Sequence, residues 1–365
     1  MPYNKKKNKN KNKNKIYDMI DLSYRDIFGN LRDRQETANS YVISKPGNYC
    51  FPLIYGCGIK DSKDNSESYI NQGGKKQSDF YDYQDKVIKS PEINYHSSRA
   101  EFIVTDSSKN LIQDLKVVND YIQFSVIHIP EVGGNFVIGL KDCNEKIIWS
   151  WHIWLWKEKL ENIDVGKYKL LNINLASRYD SSGSLQNWYY QWGRKDPLCY
   201  LDRMINIKDH EKLVSQSIQN PNIFFTTEYY YNNNNWVKKE FFYNYWNARC
   251  YKECVEEPVD KTIYDPCPPG YTVPGYGVFY ELKEDKWDDK RKGWIFKGDI
   301  FFPASGFRNC KRGILKSVGS YGYYWSAGVN NKYNARLLFF DSNDVRRLNG
   351  GARSYGFSIR PCAAE

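Results

Sequence analysis

Four short blocks in the last hundred residues constrain the fold of this chain most strongly. They are residues 264–271 (YDPCPPGY), 302–308 (FPASGFR), 322–327 (GYYWSA) and 356–362 (GFSIRPC). Each block joins a Gly or Pro turn signal to aromatic residues, a combination that favours short strands and tight turns over helices. None of them contains a recognisable set of catalytic groups, so they predict a compact recognition module rather than an enzyme.

The composition points to the same fold class. The chain of 365 residues has 31 Tyr, 18 Phe and 11 Trp but only 3 Met, together with 25 Gly and 14 Pro. Its apolar content is therefore carried by rings, which strands accommodate better than helices. We predict a β-rich α+β protein, and the length predicts two domains.

The net charge of +10 lies mainly in one tail. Seven lysines without an acid fall within residues 1–15, so the remaining chain carries only +3. We predict that this Lys/Asn tail is disordered, and the near-balanced body does not favour a nucleic-acid partner. No run of about 18 apolar residues is present, so no membrane span is predicted. The basic start has no apolar stretch after it, so we expect no signal peptide.

Residues 16–37 are too short for a domain, and we predict that they form a docking arm. The apolar side chains of this arm could form a short amphipathic turn that docks on a partner: Ile16, Met19, Ile20 and Leu22.

Residues 38–160 contain short apolar runs separated by turns and predict a β-sandwich. The run 147–154 (IIWSWHIW) is bulky on both alternating faces, which predicts a central strand covered on both sides. His152 lies in this run, and we interpret it as a hydrogen-bonded core residue rather than a ligand.

Several motifs resemble a known family. Residues 43–55 (ISKPGNYCFPLIY) and 148–154 (IWSWHIW) resemble the N-terminal part of large surface proteins of gut Bacteroidetes. Downstream, six motifs occur in the order seen in the Fibrobacter succinogenes major paralogous domain, FISUMP: residues 189–197, 217–221, 261–270, 302–308, 322–326 and 356–360.

This resemblance implies a C-type-lectin-like FISUMP module over residues 165–362, related to the formylglycine-generating enzyme fold. Family members are surface-displayed, so we expect a non-catalytic binding or structural protein that contacts a host cell-surface glycan or protein. Without a signal peptide, the expected setting is a bacteriophage virion, as a head fibre or decoration protein made in the host cytoplasm and forming a homo-oligomer. The N-terminal arm would then dock on other virion proteins. A bacterial adhesin or fimbrial-tip component on the outer surface is the alternative, and a formylglycine-generating-like enzyme is the third.

A lectin-like module implies exposed rings and planar polar groups. The candidate ligand contacts are Trp188, Tyr190, Arg194, Tyr229, Tyr230 and Tyr231, whereas Trp192 and Trp325 are predicted to be core. Motifs for calcium-dependent sugar binding (EPN, QPD and WND) are absent from the sequence.

The nine cysteines are scattered, and an odd count leaves at least one unpaired. Their spacing predicts neither a metal site nor a cofactor. We predict a disulfide between Cys267 and Cys362 that would close the module in an oxidising environment.

Overall fold

The computed structural model describes residues 19–71, 73, 77–95, 99–199, 213–227, 235–237, 242–250, 259–331 and 333–364, with the backbone of 204–206. The predicted Lys/Asn tail, residues 1–15, lies outside this part. Strands make up 42% of the chain and helices 7%, which confirms the β-rich prediction.

Ten strands form the N-terminal half: β1 Ile20–Asp21, β2 Ser40–Ile43, β3 Gly47–Pro52, β4 Ile59–Lys60, β5 Lys63–Asp64, β6 Arg99–Thr105, β7 Ile112–Val118, β8 Tyr121–Val126, β9 Gly134–Lys141 and β10 Ile147–Leu155. Three 3-10 turns accompany them, at Leu22–Tyr24, Ser66–Ser68 and Lys109–Leu111.

The second half has shorter elements: β11 Asn162–Val165, β12 Tyr168–Leu171, β13 Ser177–Tyr179, β14 Leu185–Asn187, β15 Tyr190–Gln191, β16 Met204–Asn206, α1 Val214–Gln219, β17 Phe224–Thr226, β18 Tyr271–Thr272, α2 Gly277–Glu281, β19 Glu284–Asp288, β20 Gly293–Phe296, β21 Ile300–Pro303, β22 Phe307–Arg308, β23 Leu315–Lys316, β24 Gly322–Val329, β25 Asn334–Phe340, β26 Val345–Ala352, β27 Gly356–Phe357 and β28 Cys362–Ala363.

Two four-stranded sheets face each other in the N-terminal half, with strand orders β1-β3-β8-β7 and β2-β10-β9-β6. Phe51 of the first sheet lies 5.2 Å from both Tyr41 and Trp151 of the second, measured between ring centroids. Alternating side chains place these rings on the inner faces, so the two sheets close over one aromatic layer.

Strand β10 is central and buried along its whole length, as the sequence predicts. On one face, Trp151 contacts Phe51 of the facing sheet and Trp149 contacts Tyr55, which follows β3. The other face contacts the C-terminal half, where Ser150 donates a hydrogen bond to Asp196 at 2.6 Å and the Trp154 indole donates to the Ser177 carbonyl at 2.8 Å. β10 therefore lies between the two halves and packs against both of them.

One apolar core runs through both halves. It includes Phe51 and Trp151 together with Trp192, Tyr264 and Trp325 from the C-terminal half. The proposed boundary between residues 160 and 165 is thus bridged by packed rings, and the division into two domains stays a prediction. A second core, with Phe302, Tyr324 and Phe340, lies beneath the β24-β25-β26 sheet.

Part of the predicted docking arm belongs to this core. Ile20 pairs in parallel with Tyr49 of β3, and Leu22 is only 3% exposed. The docking prediction is therefore wrong for Leu22, because the chain's own core already binds this side chain. Met19 and Ile20 are half-buried, and Ile16 lies outside the described residues, so the docking role of these three side chains stays a prediction.

His152 is a core residue with two hydrogen-bond partners, which confirms its interpretation. The Asn135 amide nitrogen donates to Asp106 and Ala176, so its oxygen accepts a hydrogen bond from His152 Nε2 at 2.9 Å. Nδ1 lies 3.1 Å from the Ser40 hydroxyl oxygen, whose own proton is donated to the Pro266 carbonyl at 2.6 Å. Complete burial lowers the pKa of His152 from 6.5 to about 3, so the ring is neutral at neutral pH.

This burial predicts a loss of stability in acid. Between about pH 6.5 and pH 3, the unfolded chain binds a proton at His152 that the folded chain does not, so the free energy of unfolding falls as the pH falls. We expect this residue to contribute about 3 kcal/mol of destabilisation between pH 7 and pH 4, measured by urea unfolding. His152→Gln should reduce the loss, whereas His128→Gln, at an exposed position, should keep it; equal losses in both variants would contradict the prediction.

Arg360 is the clearest example of a buried guanidinium in this fold. It donates hydrogen bonds to Asn174 Oδ1 at 2.8 Å, to the Leu171 carbonyl at 3.2 Å and to the Phe301 carbonyl at 2.9 Å. Its guanidinium carbon also lies 4.3 Å from the centroid of the Phe302 ring. The side chain thus ties β12 to β21 and to the chain end.

Removing this guanidinium should destabilise the protein. Arg360→Met leaves two buried carbonyls and an amide oxygen without their donor, and we expect the free energy of unfolding to fall by about 3 kcal/mol or more. The exposed Arg312→Met should change it by less than about 0.5 kcal/mol. Chemical denaturation of both variants measures the difference; similar values would show that Arg360 does not hold these strands together.

Candidate ligand-binding groove

An aromatic groove opens on the C-terminal half beside the β24-β25-β26 sheet. We define it by four rings, Phe307, Tyr323, Tyr355 and Phe357, which line a cavity of about 330 Å³. The volume lies at the lower end of the range found for small-molecule sites, about 300–1,000 Å³.

The rings form a shallow stack with one ring set across it. Phe357 lies between Tyr323, at 4.8 Å, and Tyr355, at 5.5 Å, with both ring pairs inclined by 15°. The Phe307 ring lies edge-on to this stack. Its centroid is 5.1 Å from that of Tyr323, and the two ring planes make an angle of 69°. Phe357 is buried, whereas the other three rings are only half-buried and present part of their surface to solvent.

Strand alternation decides which rings of residues 322–326 reach the groove. Tyr323 points into it, whereas Tyr324 points to the opposite face and meets Phe302 at 4.9 Å in the second core. Trp325 returns to the first face and packs on Phe357 at 4.3 Å from beneath. The single strand β24 thus supplies a groove wall and a supporting ring.

Gly306 sets the position of Phe307. It has a φ of +67°, and a Cβ at this position would lie 2.2 Å from the Lys316 carbonyl oxygen. Only glycine fits both the backbone conformation and the close approach. The sharp turn brings β22 against β23, which places Phe307 directly opposite Lys316 in the pair.

Polar groups lie at the rim of the rings. The side chains of Asn334, Asn349 and Lys311 line the groove, and Asn349 Oδ1 accepts a hydrogen bond from the Gly350 amide at 2.9 Å. Burial, together with nearby Tyr321 and Asp341, raises the pKa of Tyr323 to about 12. Its hydroxyl is therefore a protonated donor at neutral pH, and the groove offers stacking surfaces and hydrogen bonds.

The predicted contact residues of the 188–197 segment do not reach this surface. Trp188, Tyr190 and Arg194 are all at most 2% exposed, so their assignment as ligand contacts is wrong for this fold. The Trp188 indole donates a hydrogen bond to Asp106 at 2.6 Å, and Arg194 lies 4.8 Å from the Phe225 ring centroid. The many aromatic and charged residues of the 188–197 segment therefore serve packing inside the protein.

Two related predictions have different outcomes. Trp192 and Trp325 are core residues, as predicted, with exposures of 1% and 0%. Tyr229, Tyr230 and Tyr231 lie outside the described residues, so their assignment stays a prediction.

The predicted disulfide is not formed in this structure, where Cys267 is a thiol. Cys267 and Cys362 are nevertheless close enough for the second to raise the pKa of the first, although burial and Asp265 contribute more. The pairing therefore stays a prediction for oxidising conditions.

A second, more polar cavity of about 120 Å³ lies between the halves and is lined by Cys57, Lys261 and Cys362. Burial raises the pKa of Cys57 to about 12, so this thiol is protonated at neutral pH. The Lys261 ammonium donates to the carbonyls of Cys267, Pro268 and Tyr271 at 2.7 to 2.8 Å. These contacts use the lysine to hold the turn of the 264–271 block.

Within the described ranges, no group of three or more His, Cys, Asp or Glu side chains is placed to hold a metal ion. In the same part of the chain, none of the helices has the length and apolar character needed to cross a membrane.

Comparison of the chain with protein-family models, with curated proteins and with solved structures finds no match.

The groove residues lie inside motifs that the sequence singles out, but their role is not visible there. Phe307, Tyr323 and Phe357 belong to the 302–308, 322–327 and 356–362 blocks, in which no ligand contact is predicted from the sequence. Alternation separates Tyr323 from Tyr324 on opposite faces, and this is the signal that sequence reasoning missed.

Proposed function

We propose that this protein is a non-catalytic recognition module that binds a saccharide in the aromatic groove. The observation that carries the proposal is the set of three half-buried rings, Phe307, Tyr323 and Tyr355, around one cavity. Sugar rings have an apolar face that stacks on aromatic side chains, and their hydroxyls need planar hydrogen-bonding groups at the edge. Asn334 and Asn349 provide such groups at the groove rim.

The properties of the cysteines support a non-catalytic role. A nucleophilic thiol needs a lowered pKa and access to substrate. Burial instead raises the pKa values of Cys50 and Cys57 to about 12 and that of Cys267 well above its usual range. These thiols are protonated at neutral pH, which argues against the formylglycine-generating-like alternative.

We also propose the finer architecture implied by the motifs. The two facing sheets support a β-sandwich over residues 38–160, and the motif-bearing second half is proposed as a C-type-lectin-like FISUMP module over residues 165–362. Gly306 and the buried arginines Arg308 and Arg360 lie within the motif blocks and hold loops in place, as scaffold positions of such a module would.

The proposed setting is the surface of a bacteriophage virion, as a homo-oligomeric fibre or decoration protein that contacts a glycan on the bacterial host. A bacterial adhesin is the second candidate, since the motif resemblance fits it equally. Mass spectrometry of purified virions from the source phage or prophage should detect this chain. Its absence from virions, with recovery from the cell envelope, would favour the adhesin.

The groove itself is tested by removing one ring. Tyr355→Ala should weaken binding to glycans selected on an array by about tenfold, because an aromatic contact of about 1–1.5 kcal/mol is lost. Titration calorimetry on the purified protein gives the affinities, and thermal unfolding verifies that the fold is retained.

Tyr280→Ala is the matched control, since Tyr280 is 44% exposed but lies outside the groove. It should leave the affinity unchanged. Equal affinities for both variants, or no glycan bound at all, would count against saccharide recognition at this site.

A further inference from the structure

We infer that the saccharide is an oligosaccharide rather than a single sugar, and that Tyr321 is the stacking platform for the sugar unit that lies outside the groove. This inference rests on the proposed saccharide site and names the class of its ligand by length.

Tyr321 extends the aromatic surface beyond the cavity. It lies one residue before β24, and its ring centroid is 6.3 Å from that of Tyr323, which lines the groove, and 5.7 Å from that of Phe339. Tyr323 and Phe339 are directly opposed in the β24–β25 pair, with ring centroids 4.9 Å apart. Leu337 lines the groove two residues before Phe339 on β25, so these side chains share one face of the sheet.

Part of the Tyr321 ring is accessible to a ligand. Tyr321 is 38% exposed, whereas Phe339 is buried beneath it. Its ring plane makes angles of 83° with Tyr323 and 62° with Phe339, and in the described part of the chain these are the two rings in contact with it. Neither ring is stacked on Tyr321, which leaves ring surface for a sugar to stack on.

The backbone holds Tyr321 in a fixed position relative to the groove. Its amide donates a hydrogen bond to the Ser317 carbonyl at 3.0 Å, and its carbonyl accepts one from the Gly306 amide at 2.8 Å. Gly306 is also the residue that positions Phe307 at the groove. One turn therefore fixes both the groove ring and the outer ring, and such preorganisation lowers the entropic cost of binding.

The spacing of the rings favours a chain of sugars. The cavity of about 330 Å³ lies at the lower end of the range for small-molecule sites, so it can hold only a short part of a longer ligand. The 6.3 Å between Tyr323 and Tyr321 is comparable with the spacing of neighbouring units in a sugar chain. A unit bound against Tyr323 therefore places its neighbour beside Tyr321, which a single sugar inside the cavity does not reach.

Single-stranded nucleic acid is the competing ligand, since its bases also stack on successive aromatic side chains. It needs cations along its backbone as well. Arg346, whose guanidinium carbon lies 5.6 Å from the Phe339 ring centroid, is already paired with Asp344 at 2.6 Å. The charge at this end of the surface therefore favours a sugar chain.

The test begins with a glycan array probed with the full-length protein. Calorimetry then measures the affinities of the mono- to tetrasaccharides derived from the tightest-binding glycan. We expect the affinity to rise by about fivefold once the ligand is long enough to reach Tyr321, and to level off beyond that length.

The ratio of the affinities for the longest and the shortest bound ligand is then compared between variants. Tyr321→Ala should remove the gain with length, whereas Tyr321→Phe, which keeps the ring, should retain it. Tyr280→Ala, at a position of similar exposure outside the groove, is the matched control and should also retain it. Tyr355→Ala should weaken both ligands alike and leave the ratio unchanged. Thermal unfolding verifies the folding of each variant.

The outcomes separate the two proposals. Equal affinities for all lengths, a gain that persists in Tyr321→Ala, or a gain lost in Tyr321→Phe would overturn the inference and leave the saccharide site standing. Binding of no glycan would overturn both. Tighter binding of a single-stranded oligonucleotide than of any glycan would also overturn both and assign this surface to nucleic acid.

Discussion

Burial of arginine against aromatic rings is the interaction on which this fold depends. A guanidinium is more weakly hydrated than an ammonium, stacks on ring faces and presents its donors in one plane, so it can be buried where lysine would be unfavourable. Arg353 lies 4.5 Å from the Trp192 ring centroid and donates to the Phe242 carbonyl at 2.7 Å. Arg308 lies 4.3 Å from the Phe224 ring and donates to the Gly313 and Cys199 carbonyls.

These arginines connect distant segments through backbone carbonyls. Loops of the C-terminal half have few regular ladder bonds, and their carbonyls need donors when they are buried. A single guanidinium satisfies two or three such groups at once. Burial lowers the pKa values of Arg353 and Arg360 to about 10, which leaves both residues charged at neutral pH. The charge is thus retained in the core and stabilised by carbonyl and ring contacts.

Periodicity in the sequence was sufficient to predict the β-rich class, the central position of β10 and the core role of His152, since these follow from local alternation and bulk. The same periodicity did not identify the residues that form the aromatic groove. Trp188 and Tyr323 both lie in motifs rich in aromatic residues. The Trp188 indole donates a hydrogen bond to Asp106 of the N-terminal half, whereas Tyr323 faces a cavity. Such differences depend on contacts far apart in the chain, which a motif does not encode. Leu22 was misassigned for the same reason, because its partners in the core lie on later strands.

The double-sided burial of β10 has a consequence for how this protein can be rearranged by recombination. A gene exchange that joined either half to a foreign partner would leave Ser150, His152 and Trp154 facing a surface not shaped for them. Chimaeric proteins with a junction between residues 160 and 165 should therefore rarely fold. Replacement of the chain as one unit preserves every contact that β10 makes. The unit that can be exchanged without losing the contacts of β10 is therefore larger than either half.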